Sequence, residues 1–346
     1  MKSVDLACNL NSGYEPLIDT LPMTVSSIVT VVASLLLAFD GCTHTGMRGT
    51  FRQSAPAGGG GAPTKVLAVY EPWFGHPKHI DVGYSSQDPV TLKKQIEQAK
   101  NLGISGFVVD WYGDREPFLD KSYALLQSLA AEHNFTLAMM YDETDKETEE
   151  ATDDALVAFD SFREKYLAAG APGSQAYLIY KGRPVIFIFP KGAHTDWNRV
   201  RAEVNKWSSP PLLIYEYRQT PYAAAFDGFY AWINPGKKGW AKDGSNWGED
   251  YLRDFYQTMR TKYPDKIAVG AAWAGFDDRK ASWSLGRYMS QRCGATLSDT
   301  MKLPHEYYPA DNPLPFLLIA TWNDYEEGTA IERGSAKCEA GANAPH

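Results

Sequence analysis

Eight short apolar runs recur between residues 66 and 322, and stretches of helical periodicity separate most of them. The runs are Val66–Trp73, Gly106–Trp111, Leu137–Tyr141, the pair Ala176–Tyr180 and Pro184–Phe189 around Lys181-Gly182-Arg183, Leu212–Tyr217, Gly228–Ile233, Ile267–Trp273 and Phe316–Trp322. They are rich in β-branched and aromatic residues and too short for helices, so each reads as a strand buried on both faces. Apolar spacing predicts helices over Pro89–Leu102, Lys121–His133, Thr148–Ala169, Asp196–Trp207 and Gly248–Tyr263. Strands that alternate with helices are parallel strands joined by crossovers, and eight of them over residues 65–332 predict a single α/β domain, a (β/α)8 barrel. A doubly wound open sheet is the alternative, but its Gly-rich phosphate turn is missing after the first strand, which reads Tyr70-Glu-Pro-Trp-Phe-Gly75. Beyond Ile331 the chain makes a poor amphipathic helix, so the eighth helix is expected to be short or absent.

The segments outside the barrel have a different character. Met23 to Ala38 is an apolar run of signal-peptide length, too short for a convincing membrane span. Residues 1–42 are therefore read as a leader, implying a secreted or bacterial-envelope protein. The Gly41-Cys42 junction raises the possibility of a lipid anchor at Cys42. Residues 43–64, with Gly58 to Gly61 consecutive, form a flexible tether, and 333–346 a tail. Cys293 and Cys338 remain for the mature protein and can pair in an oxidising compartment.

The carboxyl ends of all strands in such a barrel meet at one mouth, where the chemistry resides. The last run stops abruptly at Thr321 and opens into Trp322, Asn323, Asp324, Tyr325, Glu326 and Glu327. The other strand ends offer Glu71 and Trp73, then Asp110, Trp111 and Tyr112, then Tyr141 and Asp142. Glu216, Trp232, Asn234 and Trp273 follow, with Asp277 and Asp278 behind them. Carboxylates and amides grip hydroxyls while indoles cover sugar C–H faces, so this mouth predicts an oligosaccharide or polysaccharide substrate. A net charge of −8 without a basic cluster argues against nucleic acid. None of the seven His lies on a predicted strand, no Gly-x-Ser-x-Gly elbow occurs, and the only Gly run lies in the tether. His76 and His79 are read as surface or substrate contacts. No metal or cofactor is expected, and the chain is expected to be a monomer. Paired carboxylates without these aids serve glycoside cleavage best.

The stretch Thr321-Trp-Asn-Asp-Tyr-Glu-Glu-Gly-Thr-Ala-Ile-Glu332 resembles the strand-eight signature of glycoside hydrolase family 71/99-like barrels, which include endo-α-mannosidases and endo-α-1,3-glucanases. Tyr70-Glu-Pro-Trp-Phe-Gly75, Gly103-Ile-Ser-Gly-Phe-Val-Val-Asp-Trp-Tyr112, Phe226-Asp-Gly-Phe-Tyr230 and Gly275-Phe-Asp-Asp278 support the resemblance. It implies that Asp324 and Glu327 form the catalytic pair, with Glu327 as general acid and Asp324 as base. The α-mannosidase branch usually carries Glu at the first position, where it acts through the sugar's 2-hydroxyl. Asp is found in the α-1,3-glucanase branch, which inverts. Glu326, where many relatives carry Gly or His, adds a third carboxylate expected to raise a neighbour's pKa. Glu71 stands where relatives often have Tyr. The resemblance thus implies a glycosidase, endo-acting, on an α-linked glycan; a barrel that binds carbohydrate without cleaving it is the alternative.

Overall fold

The first strand, β1 (Lys65–Tyr70, KVLAVY), is buried along nearly its whole length, and its alternate residues serve two different cores. Leu67 and Val69 point into an interior cluster, whereas Val66, Ala68 and Tyr70 pack outward against helices. The same alternation recurs in β2 (Gly106–Trp111), β3 (Thr136–Asp142), β4 (Arg183–Phe189) and β5 (Leu212–Glu216). Three more strands follow: β6 (Gly228–Tyr230), β7 (Ile267–Trp273) and β8 (Phe316–Ala320). All neighbours are parallel, β3 pairs with β4, and β8 pairs with β1, so the sheet closes on itself. This computed structural model, which describes residues 62–333, is the expected (β/α)8 barrel. The leader with Cys8, the run Met23 to Ala38, Cys42, the tether as far as residue 61 and the tail with Cys338 lie outside the described residues. Cys293 is disulfide-bonded.

Helices α1 (Pro89–Asn101), α2 (Pro117–Glu132), α3 (Thr148–Phe162) and α4 (Trp197–Val204) follow β1 to β4. α1 begins where Asp88 accepts hydrogen bonds from the Val90 and Thr91 amides and Pro89 fixes the first turn; Asp196 caps α4 likewise. α5 (Glu249–Thr261) follows β6 and buries Leu252, Phe255, Tyr256 and Met259 on one face. Between β5 and β6 there is only a 3-10 turn, Ala223–Ala225. The expected fourth unit resolves into a short antiparallel pair, Ile179–Tyr180 against β4, and the turn at Lys181 (φ 50°) and Gly182 (φ 75°) has the doubly positive φ of a tight hairpin.

Two features depart from the sequence reading. The helix α6 (Ala295–Lys302), between β7 and β8, was not foreseen; only Thr296 and Thr300 are buried on it, so it shows no apolar stripe to recognise. Among the described residues no helix follows β8. Instead the chain folds back, with the Ile331 and Glu332 amides donating to Trp322 O at 3.0 and 2.9 Å. The Glu332 carboxylate then accepts from Gln95 of α1 (2.8 Å), Tyr84 (3.0 Å) and Tyr325 (2.7 Å). This knot fastens the β8 end to the first helix.

The bottom of the barrel is pinned at Asp227, whose carboxylate takes Arg183, Arg201 and the Leu213 amide. At Gly228 an added Cβ would lie 2.3 Å from Ile267 O and 2.7 Å from Ile267 Cβ. The obstacle is the neighbouring strand's backbone, which cannot rotate away. Gly228→Ala is therefore expected to cost about 2–3 kcal/mol, at the upper end of overpacking costs, read as a lowered urea midpoint.

Candidate active site

The alternation of the strands decides which end residues face the mouth. Continuing the inward set Leu67, Val69 brings Glu71 into the barrel; Val108 brings Asp110; Ala138 and Met140 bring Asp142. These three line a cavity of 480 Å³, within the usual range for small-ligand sites, together with Trp73, Tyr112, Trp232, Asp324 and Glu327. His79, Phe189, Lys191 and Trp283 complete the wall. Of these four, only His79 was considered from sequence. Phe189 ends β4 in the inward register, Lys191 follows it, and Trp283 arrives on the loop after β7. Reading β4 with the same alternation would have found Phe189, but nothing in the sequence marks the reach of Trp283.

Asp324 and Glu327 share one tight turn beyond β8. The Asp324 amide donates to Thr321 Oγ1 (2.8 Å), and Asp324 Oδ1 accepts the Glu326 and Glu327 amides, both at 2.9 Å. Glu327 Oε1 accepts the indole N–H of Trp283 at 2.9 Å, and Glu327 O accepts the Asp277 amide at 2.7 Å. Gly328 (φ 65°) supplies the left-handed residue this return needs. Both carboxyl groups thus stand on a scaffold of backbone bonds.

Several predicted contacts serve the scaffold instead. Trp111 faces the helices, donating to Asp120 Oδ1 (3.1 Å) and packing edge-on against Phe162. Tyr141, also in the outward register, packs on Phe159 and Trp197. Trp322 is wholly buried against Phe107, and Trp273 donates to Trp247 O at 2.9 Å. Asn234 is exposed and its Oδ1 caps the Gly236 amide (2.7 Å). Asn323 grips the backbone of Glu71, accepting its amide at 2.7 Å and donating to its carbonyl at 2.9 Å. Glu326 pairs with His79 Nδ1 at 2.7 Å, and that imidazole stacks on Trp73 at 4.6 Å. Asp277 and Asp278 hold Arg279 and Arg287 within their loop. Glu216 points inward from β5 but does not line the cavity; burial raises its pKa to about 7 against the pull of Arg218.

The electrostatics of the remaining carboxylates are dominated by burial. Asp324 is held up to about 8, first by desolvation and next by the charge of Glu327, with the two backbone amides opposing. Glu327 is also raised by burial, while the Trp283 N–H and Arg287 pull it down. Glu71 is raised by burial and then by Asp110, and Asp110 by burial and then by Asp142, with Lys191 pulling Asp110 down. The expected influence of Glu326 is present at both Asp324 and Glu327, raising each carboxyl, but it ranks behind burial and the other named causes. The charge of Glu327 disfavours ionisation of Asp324, so the pair favours a form that shares one proton. Among the described residues no group of His, Cys, Asp and Glu has the arrangement of a metal site.

No family model matches the chain, and no curated protein matches it. Solved structures do. The GH99 endo-α-mannosidase from Bacteroides thetaiotaomicron, in complex with bis-tris propane, superposes with a TM-score of 0.60 at 19% identity, covering 80% of this chain and 90% of that one. A second structure of the enzyme gives 0.59 at 17% identity, covering 77% and 87%. A glycoside hydrolase-like protein gives 0.50 at 14%, covering 81% and 90%. The chain has the GH99-like barrel fold, the one its strand-eight motif resembles.

Asp324 carries a testable pH signature. The folded state keeps this proton up to about pH 8, whereas an unfolded Asp releases it near about 4. Between those values only the folded form binds it, so rising pH favours unfolding, by at most about 1.4 kcal/mol per pH unit. Asp324→Asn removes this term; its stability is expected to fall less steeply than that of the wild type between pH 5 and 8 in thermal melts.

Proposed function

We propose that the chain is a glycoside hydrolase that cleaves an α-linked glycan, endo-acting, with Glu327 as general acid and Asp324 as base. The observation that supports this most directly is the buried Asp324–Glu327 pair, set on one turn at the carboxyl end of β8 in a walled cavity. Asp324 Oδ1 is engaged by two amides, which oppose the burial that raises its pKa; the working form is the one in which the pair's single proton sits on Glu327, leaving Asp324 Oδ2 to take a proton from water or a sugar hydroxyl. Glu327 is the less enclosed of the two and is gripped at Oε1 by Trp283, leaving Oε2 to protonate a departing glycosidic oxygen. The aromatic wall of Trp73, Tyr112, Trp232 and Trp283 supplies faces for sugar C–H groups. The GH99-like fold adds its weight, since two of the neighbouring structures are endo-α-mannosidases.

Glu327→Gln keeps the size and the hydrogen-bond acceptor for Trp283 but cannot transfer a proton. Turnover of a cleaved α-mannan or α-1,3-glucan is expected to fall by at least about 10²–10⁴-fold, the span of general acid catalysis, while binding of the glycan by calorimetry persists. Undiminished reducing-end release would reject the assignment. Binding without release by the wild type across α-mannan, α-1,3-glucan and plant polysaccharides would favour a carbohydrate-binding barrel.

A further inference from the structure

We propose that the ends of β1, β2 and β3 form a subsite for a sugar residue carrying a primary ammonium group. This rests on the glycosidase reading and narrows its substrate to a glycan containing de-N-acetylated amino sugar. The residues are Glu71, Asp110 and Asp142, which are only 5%, 7% and 3% exposed and all line the cavity. They come from three adjacent strands in the inward register. Each keeps one buried oxygen without a hydrogen-bond partner: Glu71 Oε2, Asp110 Oδ1 and Asp142 Oδ1.

Three acceptors at neighbouring strand ends need three donors. A carboxylate accepts only; a hydroxyl offers a single donor, whereas an ammonium offers three and no acceptor. The charge balance points the same way. Five carboxylates line the cavity against one lysine, Lys191, which is committed to Asp142 Oδ2 at 2.9 Å and lies over the Tyr112 ring. Arg115 donates to the Asp142 carbonyl at 2.7 Å, and His79 is occupied by Glu326. Glu71 and Asp110 have no ion pair within the described residues, and across the cavity Asp324 and Glu327 add charge of the same sign. In their ionised form these carboxylates would repel an anionic sugar, and a neutral one brings no charge to offset them. Burial and then a neighbouring carboxylate raise Glu71 and Asp110 above the usual carboxylate range, with Lys191 opposing at Asp110. An arriving ammonium favours the ionised carboxylates and so draws protons off them into solvent, which a neutral sugar does not.

The test is calorimetry on the full-length protein at pH 7 with glucosamine, mannosamine and galactosamine, each beside its neutral parent and its N-acetyl derivative. At least one ammonium sugar is expected to bind about tenfold or more tightly than both counterparts, equivalent to about 1.4 kcal/mol. Its heat should vary between buffers of different ionisation enthalpy by an amount that reports proton release. The near-isosteric Glu71→Gln and Asp110→Asn are each expected to remove the preference and the proton release together. Equal affinity for charged and neutral sugars, absence of binding by every ammonium sugar, or a preference that survives in both variants would overturn the proposal. A protein that cleaves a neutral glycan through Glu327 while showing no such preference keeps the glycosidase reading and loses only this one. A preference intact beside undiminished turnover by Glu327→Gln has the reverse meaning.

Discussion

The site depends on one side-chain amide. Asn323 spans from the end of β8 to the end of β1 and satisfies both the N–H and the C=O of Glu71, at 2.7 and 2.9 Å. A barrel closes where its first and last strands meet, and there the ladder runs out just as the functional residues begin. Backbone groups buried at that point need partners, because leaving them unmade costs about 1–3 kcal/mol each. Asn323 supplies both from a wholly buried position, and the next residue is Asp324. The closure of the fold and the placement of the pair are thus the same set of bonds. The Trp322 amide to Val69 O, at 2.6 Å, extends the seam one step earlier.

The barrel was legible because parallel strands buried on both faces leave unbroken apolar runs, and helices such as α5 leave a clear stripe. Which end residues face the ligand was less legible. Three consecutive residues, Asp110-Trp111-Tyr112, stand together at the end of β2, yet a strand sends neighbours to opposite faces. Asp110 belongs to the cavity and Trp111 to the helix layer, where Asp120 holds its indole. The same division separates Tyr141, packed on Phe159, from Asp142 in the cavity. Alternation was available in the sequence, since Val108 and Asp110, or Met140 and Asp142, share a parity. Trp273 and Trp322 are wholly buried behind the mouth for another reason. Large aromatics near a mouth also fill the shell that supports it, and composition does not separate the two uses.

Loops carried what the strand pattern could not. Lys191, His79 and Trp283 reach the cavity from segments whose length says nothing of their path. Trp283 is held by a turn built on the buried Asp278, which gathers the amides of Leu285 and Arg287 and the Arg287 guanidinium. A resemblance at Gly275-Phe-Asp-Asp278 therefore marks a loop anchor, and the functional consequence appears only five residues later, at the indole that meets Glu327.

Glu326 shows how a charge near a site can act on shape instead of on pKa. Its partner His79 lies flat on Trp73, so a single side-chain hydrogen bond ties the loop after β1 to the turn after β8. The backbone N–H of Glu326 meanwhile supports Asp324 Oδ1. Removing this carboxylate would release the His79 ring that stacks on Trp73 at the cavity wall, while desolvation remains the first cause of the raised pKa at both Asp324 and Glu327. The proton on the pair is thus held by the dryness of the barrel mouth, and dryness is what the surrounding aromatic wall maintains. The electrostatics of the Asp324–Glu327 turn and the aromatic wall of the cavity are two consequences of one packing arrangement.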